Sequence, residues 1–215
     1  TDSTQLRRFQ VADARMQAGK YDEAIQILER LYEESPNNAS FYRKLKEAYE
    51  SVKRYDDALA LVKDRLGDKP TPGLLSEKAR LLYLKGAESS ARDAVDAAIA
   101  LAPNRATTYR LVYQTLVDLR RFRQAIDVLQ QARNRLDNDA LFRTELAYLY
   151  GLDGQHGAAM QQYVALLNES PNRVSLVRNR LQTFVEQGEG ISSSVEVLEE
   201  AVADHPLNPA YRKLL

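Results

Sequence analysis

A chain of 215 residues with 44% hydrophobic and 28% charged residues, 9 Gly and 7 Pro has the length of one or two domains and is neither a disordered tail nor a collagen-like repeat. Its 30 basic and 30 acidic residues cancel, which argues against a general nucleic-acid or anionic-membrane binder. The lack of cysteine excludes disulfides, iron–sulfur clusters, cysteine-ligated zinc and thiol catalysis, and no apolar run reaches the ~20 residues of a membrane helix. A soluble protein of the cytoplasm or periplasm, with no cofactor and no membrane insertion, is expected; the first residue, Thr1, points to a piece of a longer chain.

Taken in chain order, the same pattern returns about every 34 residues. The segments YDEAIQILERL, YDDALALVKDRL, ESSARDAVDAAI, RFRQAIDVLQQA and HGAAMQQYVALL each have helical period, and their alanines, Ala24, Ala58, Ala91, Ala125 and Ala159, are spaced 34, 33, 34 and 34. Pro36, Pro70, Pro103, Pro171 and Pro206 keep the same beat, with Asp137 where one proline is skipped. Ahead of each such helix a second apolar stripe is legible, as in Tyr42, Leu45 and Tyr49 before Ala58, Leu61, Val62 and Leu66. Gly19, Lys53, Gly86, Arg120, Gly154 and Gly188 hold the turn between the two helices, a place that favours positive φ. Each proline stops a second helix, and Asn37, Asn38, Asn104, Asn172 and Asn208 stand ready to cap the next. Six units follow, 5–38, 39–71, 72–105, 106–139, 140–173 and 174–208, with 209–215 opening a seventh unit or a capping helix. The class predicted is all-α, in a single array over 1–215.

These residues resemble the tetratricopeptide repeat, which combines a small residue and a following aromatic in the first helix, an alanine and large apolar residues in the second, and a terminal proline. Leu146, Ala147, Tyr150, Gly154, Ala159, Tyr163, Leu166 and Pro171 match nearly all of it. Val11, Ala12, Gly19, Ala24, Leu28, Leu31 and Pro36 match in the first unit, and Ala79, Leu82, Gly86, Ala91, Val95, Ala98 and Pro103 in the third. Lys46, Tyr113 and Leu181 replace the small residue in the even units, where helix packing is expected to be looser or rotated. Ser193 and Ser194 replace the alanine of the sixth unit, which also carries an extra residue around Gly188-Glu189-Gly190.

The resemblance implies a right-handed α-solenoid of about six helix-turn-helix repeats whose first helices line a concave groove. Residues four apart share a helix face. The groove candidates are Phe9 with Asp13, Arg43 with Glu47, Ser76 with Arg80, Arg110 with Gln114, Thr144 with Tyr148 and Arg178 with Gln182, plus Tyr83. Arginine forks bind carboxylates bidentately and tyrosine offers apolar area with a polar tip, so the groove reads as a site for an acidic or polar extended peptide or protein. The bland alternative is a solvated helix face, with Arg43 and Glu47 an exposed pair worth about 0.2–0.5 kcal/mol. The carboxylate clamp by which some family members hold the C-terminal tails of heat-shock chaperones is not matched, because Phe9, Asp13, Lys44, Ser40, Gly73 and Glu77 stand at its places.

Charge is segregated: residues 105–135 hold seven arginines and two aspartates, while 186–204 hold six acids and no base. This supports a second reading, a structural assembly module of an envelope or secretion-type complex acting through array–array or charge-segregated contacts. An enzyme is not expected. His156, placed in a solvated turn, and His205 are too far apart in sequence for a metal pair, and no HExxH, GxSxG, GxxxxGK[ST] or GxGxxG pattern occurs. Asn38-Ala39-Ser40 and Asn168-Glu169-Ser170 meet the N-glycosylation pattern, a match frequent by chance.

Overall fold

The computed structural model describes residues 2–67, 69–186 and 190–214, and among these residues it is built of helices without a strand. They divide into two compact units, Thr1–Leu101 and Ala102–Leu215. In the first, α1 (Ser3–Gln17), α2 (Tyr21–Glu34), α3 (Ala39–Ser51), α4 (Tyr55–Leu66), α5 (Pro72–Lys85) and α6 (Glu88–Leu101) pack each on the next. In the second, α7 (Ala106–Asp118) packs on α8 (Phe122–Leu136), α8 on α9 (Arg143–Leu152) and α9 on α10 (His156–Glu169). A 3-10 turn, Pro171–Arg173, leads into α11 (Val174–Glu186), followed by α12 (Ile191–Asp204) and a short α13 (Pro209–Arg212). Within each unit, helix pairs bury one stripe internally and another against the neighbouring pair, which is the packing logic of an α-solenoid.

The five periodic alanines are each fully buried, because a methyl group is all that fits where the two helices of a pair cross. Around them the core of the first unit is built from Ile25, Leu28, Leu31, Phe41, Tyr42, Leu45, Leu61 and Val62, and that of the second includes Met160, Tyr163, Leu167 and Tyr211. Asp2, Asn38, Thr71 and Asn208 cap α1, α3, α5 and α13, their side chains accepting from backbone N–H groups of the first turn. Asn104 and Asn172 do not cap: Arg105 precedes α7 without a side-chain cap, Asn104 instead accepts from Arg135 Nε at 3.1 Å, and Asn172 lies in the 3-10 turn.

All the described turn positions of the repeat are left-handed, with φ of 71° at Gly19, 59° at Lys53, 84° at Gly86, 57° at Arg120 and 76° at Gly154. Gly188 lies outside the described residues. The next residue's N–H closes the first helix on the carbonyl five positions back, as in Arg54 to Tyr49 and Arg121 to Leu116, both 2.8 Å, and Ala87 to Leu82, 2.9 Å. A side chain at such φ costs about 1–2 kcal/mol, partly offset because glycine loses more freedom on folding. Lys53→Gly is therefore expected to stabilise the protein by about 0.5–1 kcal/mol and Gly86→Ala, whose Cβ would meet no neighbour, to destabilise it by about 1 kcal/mol. Urea midpoints measure both; a gain from Gly86→Ala would refute this account of the turn.

Departures from the pattern fall where bulky residues replace the small one. Lys46, Tyr113 and Leu181 are half-buried, whereas Ala12, Ala79 and Ala147 at the equivalent places are fully buried. Among the described side chains of α11 the buried one is Val177, and Arg180, in register with the buried Val112 and Leu146, is exposed. Leu181 thus stands where α9 buries Ala147, and the position before it is exposed on α11 but buried on α7 and α9. α12 packs directly on α10 instead, and Gly190, at its N-terminus, sits against the His156 ring.

Candidate functional site

In the first unit, the first helices of the repeats are α1, α3 and α5, and their polar side chains are tied to one another. Lys44 Nζ lies 2.9 Å from Asp13 and 3.1 Å from Glu47, and the Asp13 carboxylate holds the Lys44 ammonium pKa above its ordinary value. Lys46 Nζ lies 2.7 Å from Glu77, which also accepts from the Tyr42 hydroxyl at 2.5 Å. Arg80 pairs with Glu50 of α3. Phe9 packs its ring 5.4 Å from that of Phe41, and Ser76 is buried, its hydroxyl bonded to the Pro72 carbonyl. Tyr83 turns into the core at 6% exposure. Arg43 is exposed and has no ion pair among the described residues. This face is a ladder of internally neutralised charges.

On the other side of the same unit, a furrow of about 330 Å³ between α2 and α4 is lined by Glu29, Tyr32, Tyr49, Asp57 and Asp64. The Tyr32 hydroxyl donates to Asp64 at 2.8 Å and that of Tyr49 to Glu29 at 2.7 Å, while Arg54 stacks 4.9 Å over the Tyr49 ring. Burial, with Asp64 beside it, pushes the Tyr32 phenol up to about 12.

The second unit presents a different face. Arg110 of α7 pairs with Glu145 of α9 at 3.3 Å and lies over the Phe142 ring at 5.2 Å, and Gln114 donates to Asp118 at 3.0 Å. Between these polar groups Leu111, Tyr148 and Leu152 are exposed at 41%, 42% and 41%. Arg180 of α11 stacks its guanidinium 5.4 Å over Tyr148. Arg178 donates to the Lys213 carbonyl at 3.1 Å, and Gln182 is exposed. Sequence reasoning placed Arg110, Gln114 and Tyr148 here but missed Leu111, Leu152 and Arg180. The first two carry a signal, apolar residues off the buried stripe; Arg180 carries none, since its position is a core position in the neighbouring repeats.

The basic segment is partly consumed internally. Arg123 reaches Asp153 at 3.2 Å, and Arg133 donates to the Leu141 carbonyl at 2.7 Å and to Gln162 at 2.8 Å, with burial lowering its pKa. On α12, Glu196, Glu199, Glu200 and Asp204 are exposed. The placement of His156 in a solvated turn is overturned: it is the first residue of α10 and 8% exposed, because α12 folds over it. His205 is exposed beside Tyr211, the ring centroids 6.5 Å apart. Both candidate glycosylation asparagines serve the fold, Asn38 as a cap and Asn168 as acceptor of the Tyr211 hydroxyl. Among the described residues no three or more His, Asp or Glu side chains group as metal ligands, and no helix is long and apolar enough to cross a membrane.

Comparison with known proteins agrees with this geometry. The pattern of the tetratricopeptide repeat family matches residues 15–74. The TPR repeat-containing protein YpiA of Bacillus subtilis (strain 168) is 26% identical over 151 residues, which cover 70% of this chain and 36% of that protein. The chain thus spans about a third of the length of this curated relative. Solved structures with a similar course include a MamA protein, 18% identical with a TM-score of 0.46, covering 80% of this chain and 94% of that one. The thermophilic TPR protein TTC0263 of Thermus thermophilus is 22% identical with a TM-score of 0.44, covering 84% of this chain and 99% of that one. The two-helix repeat with its left-handed turn and buried alanine defines the class by its fold, an all-helical repeat protein. To this fold the comparisons add a similarity to tetratricopeptide-repeat proteins.

Proposed function

We propose that the faces of the first helices hold an extended segment of a partner protein, and that this capture, rather than catalysis, is the work of the chain. The observation that supports it most is the apolar area of Leu111, Tyr148 and Leu152 on α7 and α9, which stays exposed even with the Arg180 guanidinium over the Tyr148 ring. Tyrosine flanked by arginine is the composition that concentrates binding energy at protein interfaces. The first unit adds Arg43 as an exposed cation, while Lys44, Lys46 and Arg80 are already matched by its own carboxylates. A partner segment with acidic or polar character fits both faces.

The test compares partners cross-linked to the wild type with those of Tyr148→Ser and Arg43→Glu. Loss of a hot-spot tyrosine is expected to weaken capture at least tenfold, corresponding to about 1.4 kcal/mol or more. Both sites are exposed, so stability is expected to stay within about 0.5 kcal/mol of wild type. Retention of every partner by both variants would overturn the reading.

A second reading, assembly through charge-segregated contacts, is favoured by the exposed carboxylates of α12 and the arginines around Arg120. It requires concentration-dependent association that salt abolishes, since exposed charges are screened beyond about 8–10 Å at physiological ionic strength. Light scattering over a dilution series at two salt concentrations separates it from a groove binder, which stays monomeric without its ligand.

A further inference from the structure

We propose that Arg180, held by Tyr148, is a carboxylate receptor that makes the second unit's face specific for a segment pairing an apolar side chain with a nearby Asp or Glu. This rests on the reading that the first-helix faces bind an extended partner segment. Arg180 stands at a register position where α7 and α9, the other first helices of its unit, bury Val112 and Leu146, yet it is exposed, with its guanidinium over the Tyr148 ring. Stacking occupies the flat face of a guanidinium and leaves its N–H groups, which point outward in the plane, free to grip a carboxylate in a fork. Arg110, the other stacked arginine of this face, already has a carboxylate partner, its Nη1 donating to Glu145 at 3.3 Å; Arg180 has no carboxylate partner among the described residues.

The apolar half of the site lies alongside. Tyr148 and Leu152 are one helical turn apart on α9, each more than two-fifths exposed, and they share a face. An extended chain advances about 3.3 Å per residue and alternates its side chains, so an aliphatic or aromatic group seated on Tyr148 and Leu152 places an acidic side chain two residues along within reach of an arginine as long as Arg180. The stacked ring also limits the rotamers of the guanidinium before binding, which lowers the ordering cost of making the fork. The charge complementarity commits the occupant to an acidic side chain within a peptide.

Phage-displayed random dodecapeptides, fused at their C-termini so that no terminal carboxylate is free, are the probe. Panning on the whole chain is expected to enrich sequences with Leu, Ile, Phe or Tyr within two residues of Asp or Glu. An enriched peptide, synthesised with an amidated C-terminus, is expected to bind Arg180→Gln about tenfold more weakly by fluorescence anisotropy. Its Asp→Asn analogue should lose about the same on wild type and nothing further on Arg180→Gln, a coupling that a merely structural arginine would not produce. Enrichment of basic or uncharged peptides, no enrichment, or indifference to Arg180→Gln would overturn the proposal. If binding ignores Arg180→Gln but falls with Leu111→Ser or Leu152→Ser, the first-helix reading stands and only the receptor is lost; if it responds to none of the three, both are lost.

Discussion

Tyr42→Ala is expected to destabilise the protein by about 3–5 kcal/mol, the usual cost of removing a large aromatic from a packed interior. Tyr42 is 5% exposed on α3, with the Arg65 guanidinium 4.8 Å over its ring and the Tyr32 ring 6.4 Å away. Its hydroxyl ties α3 to α5 through Glu77. Two effects are separable. Tyr42→Phe keeps the ring and is expected to cost about 1 kcal/mol, near the low end because Glu77 is partly exposed and retains Lys46 as a partner. Burial, reinforced by Glu77, raises the Tyr42 phenol above its ordinary value. A folded pKa above the unfolded one means that the stabilisation is fully present below the ordinary tyrosine value of about 10 and is lost as pH rises toward the raised one. Urea unfolding at neutral and alkaline pH measures all three; a cost for Tyr42→Ala no larger than that of Tyr42→Phe would show that the ring does not hold these repeats together.

Gly190→Ala is the second large effect, at about 2–5 kcal/mol. Gly190 starts α12 with φ of 68°, where any side chain costs about 1–2 kcal/mol. A Cβ there would also overlap the buried His156 side chain, at its Cβ, Cγ and Cδ2 atoms, and overpacking of that kind adds about 1–3 kcal/mol. Measured in a His156→Gly background, which removes the Cβ as well as the ring, the cost of Gly190→Ala should fall to the first part alone. Stacked repeats unfold in part, so the loss should concentrate at the end of the second unit. Amide hydrogen exchange is expected to accelerate in α12 and α13 while α7 and α8 keep their protection. Uniform acceleration, or an undiminished cost of Gly190→Ala in the His156→Gly background, would contradict the contact.

Much of this architecture is legible without coordinates because the information is local and repeated. An alanine is needed wherever two helices of a pair cross, and a left-handed residue wherever the first helix closes on itself, so both recur with the repeat. Lys53 and Arg120 show how far this reasoning reaches: chemically they are poor turn residues, yet their place in the period predicts positive φ, and they have it. The functional face is less legible. The sequence places Arg43, Arg80, Arg110 and Arg178 on the first helices but cannot tell which guanidinium is engaged. Arg80 meets Glu50 and Arg110 meets Glu145, partners 30 and 35 residues away, whereas Arg43 meets no carboxylate among the described residues.

The amino-acid sequence by itself determined the helical class, the two-helix repeat, its turns and its buried small residues, since each follows from the conformational preferences and side-chain sizes of residues close in the chain. Tertiary structure alone decided that His156 is buried, that Tyr83 belongs to the core, and that Arg180 is turned out over Tyr148. Each depends on how one helix is rotated against its neighbours. Gly190 covers His156, and Leu181 sits where α9 buries Ala147. Such rotations come from side chains meeting across about 30–35 residues of intervening chain, where helical period sets which stripe is apolar but steric fit sets where that stripe points.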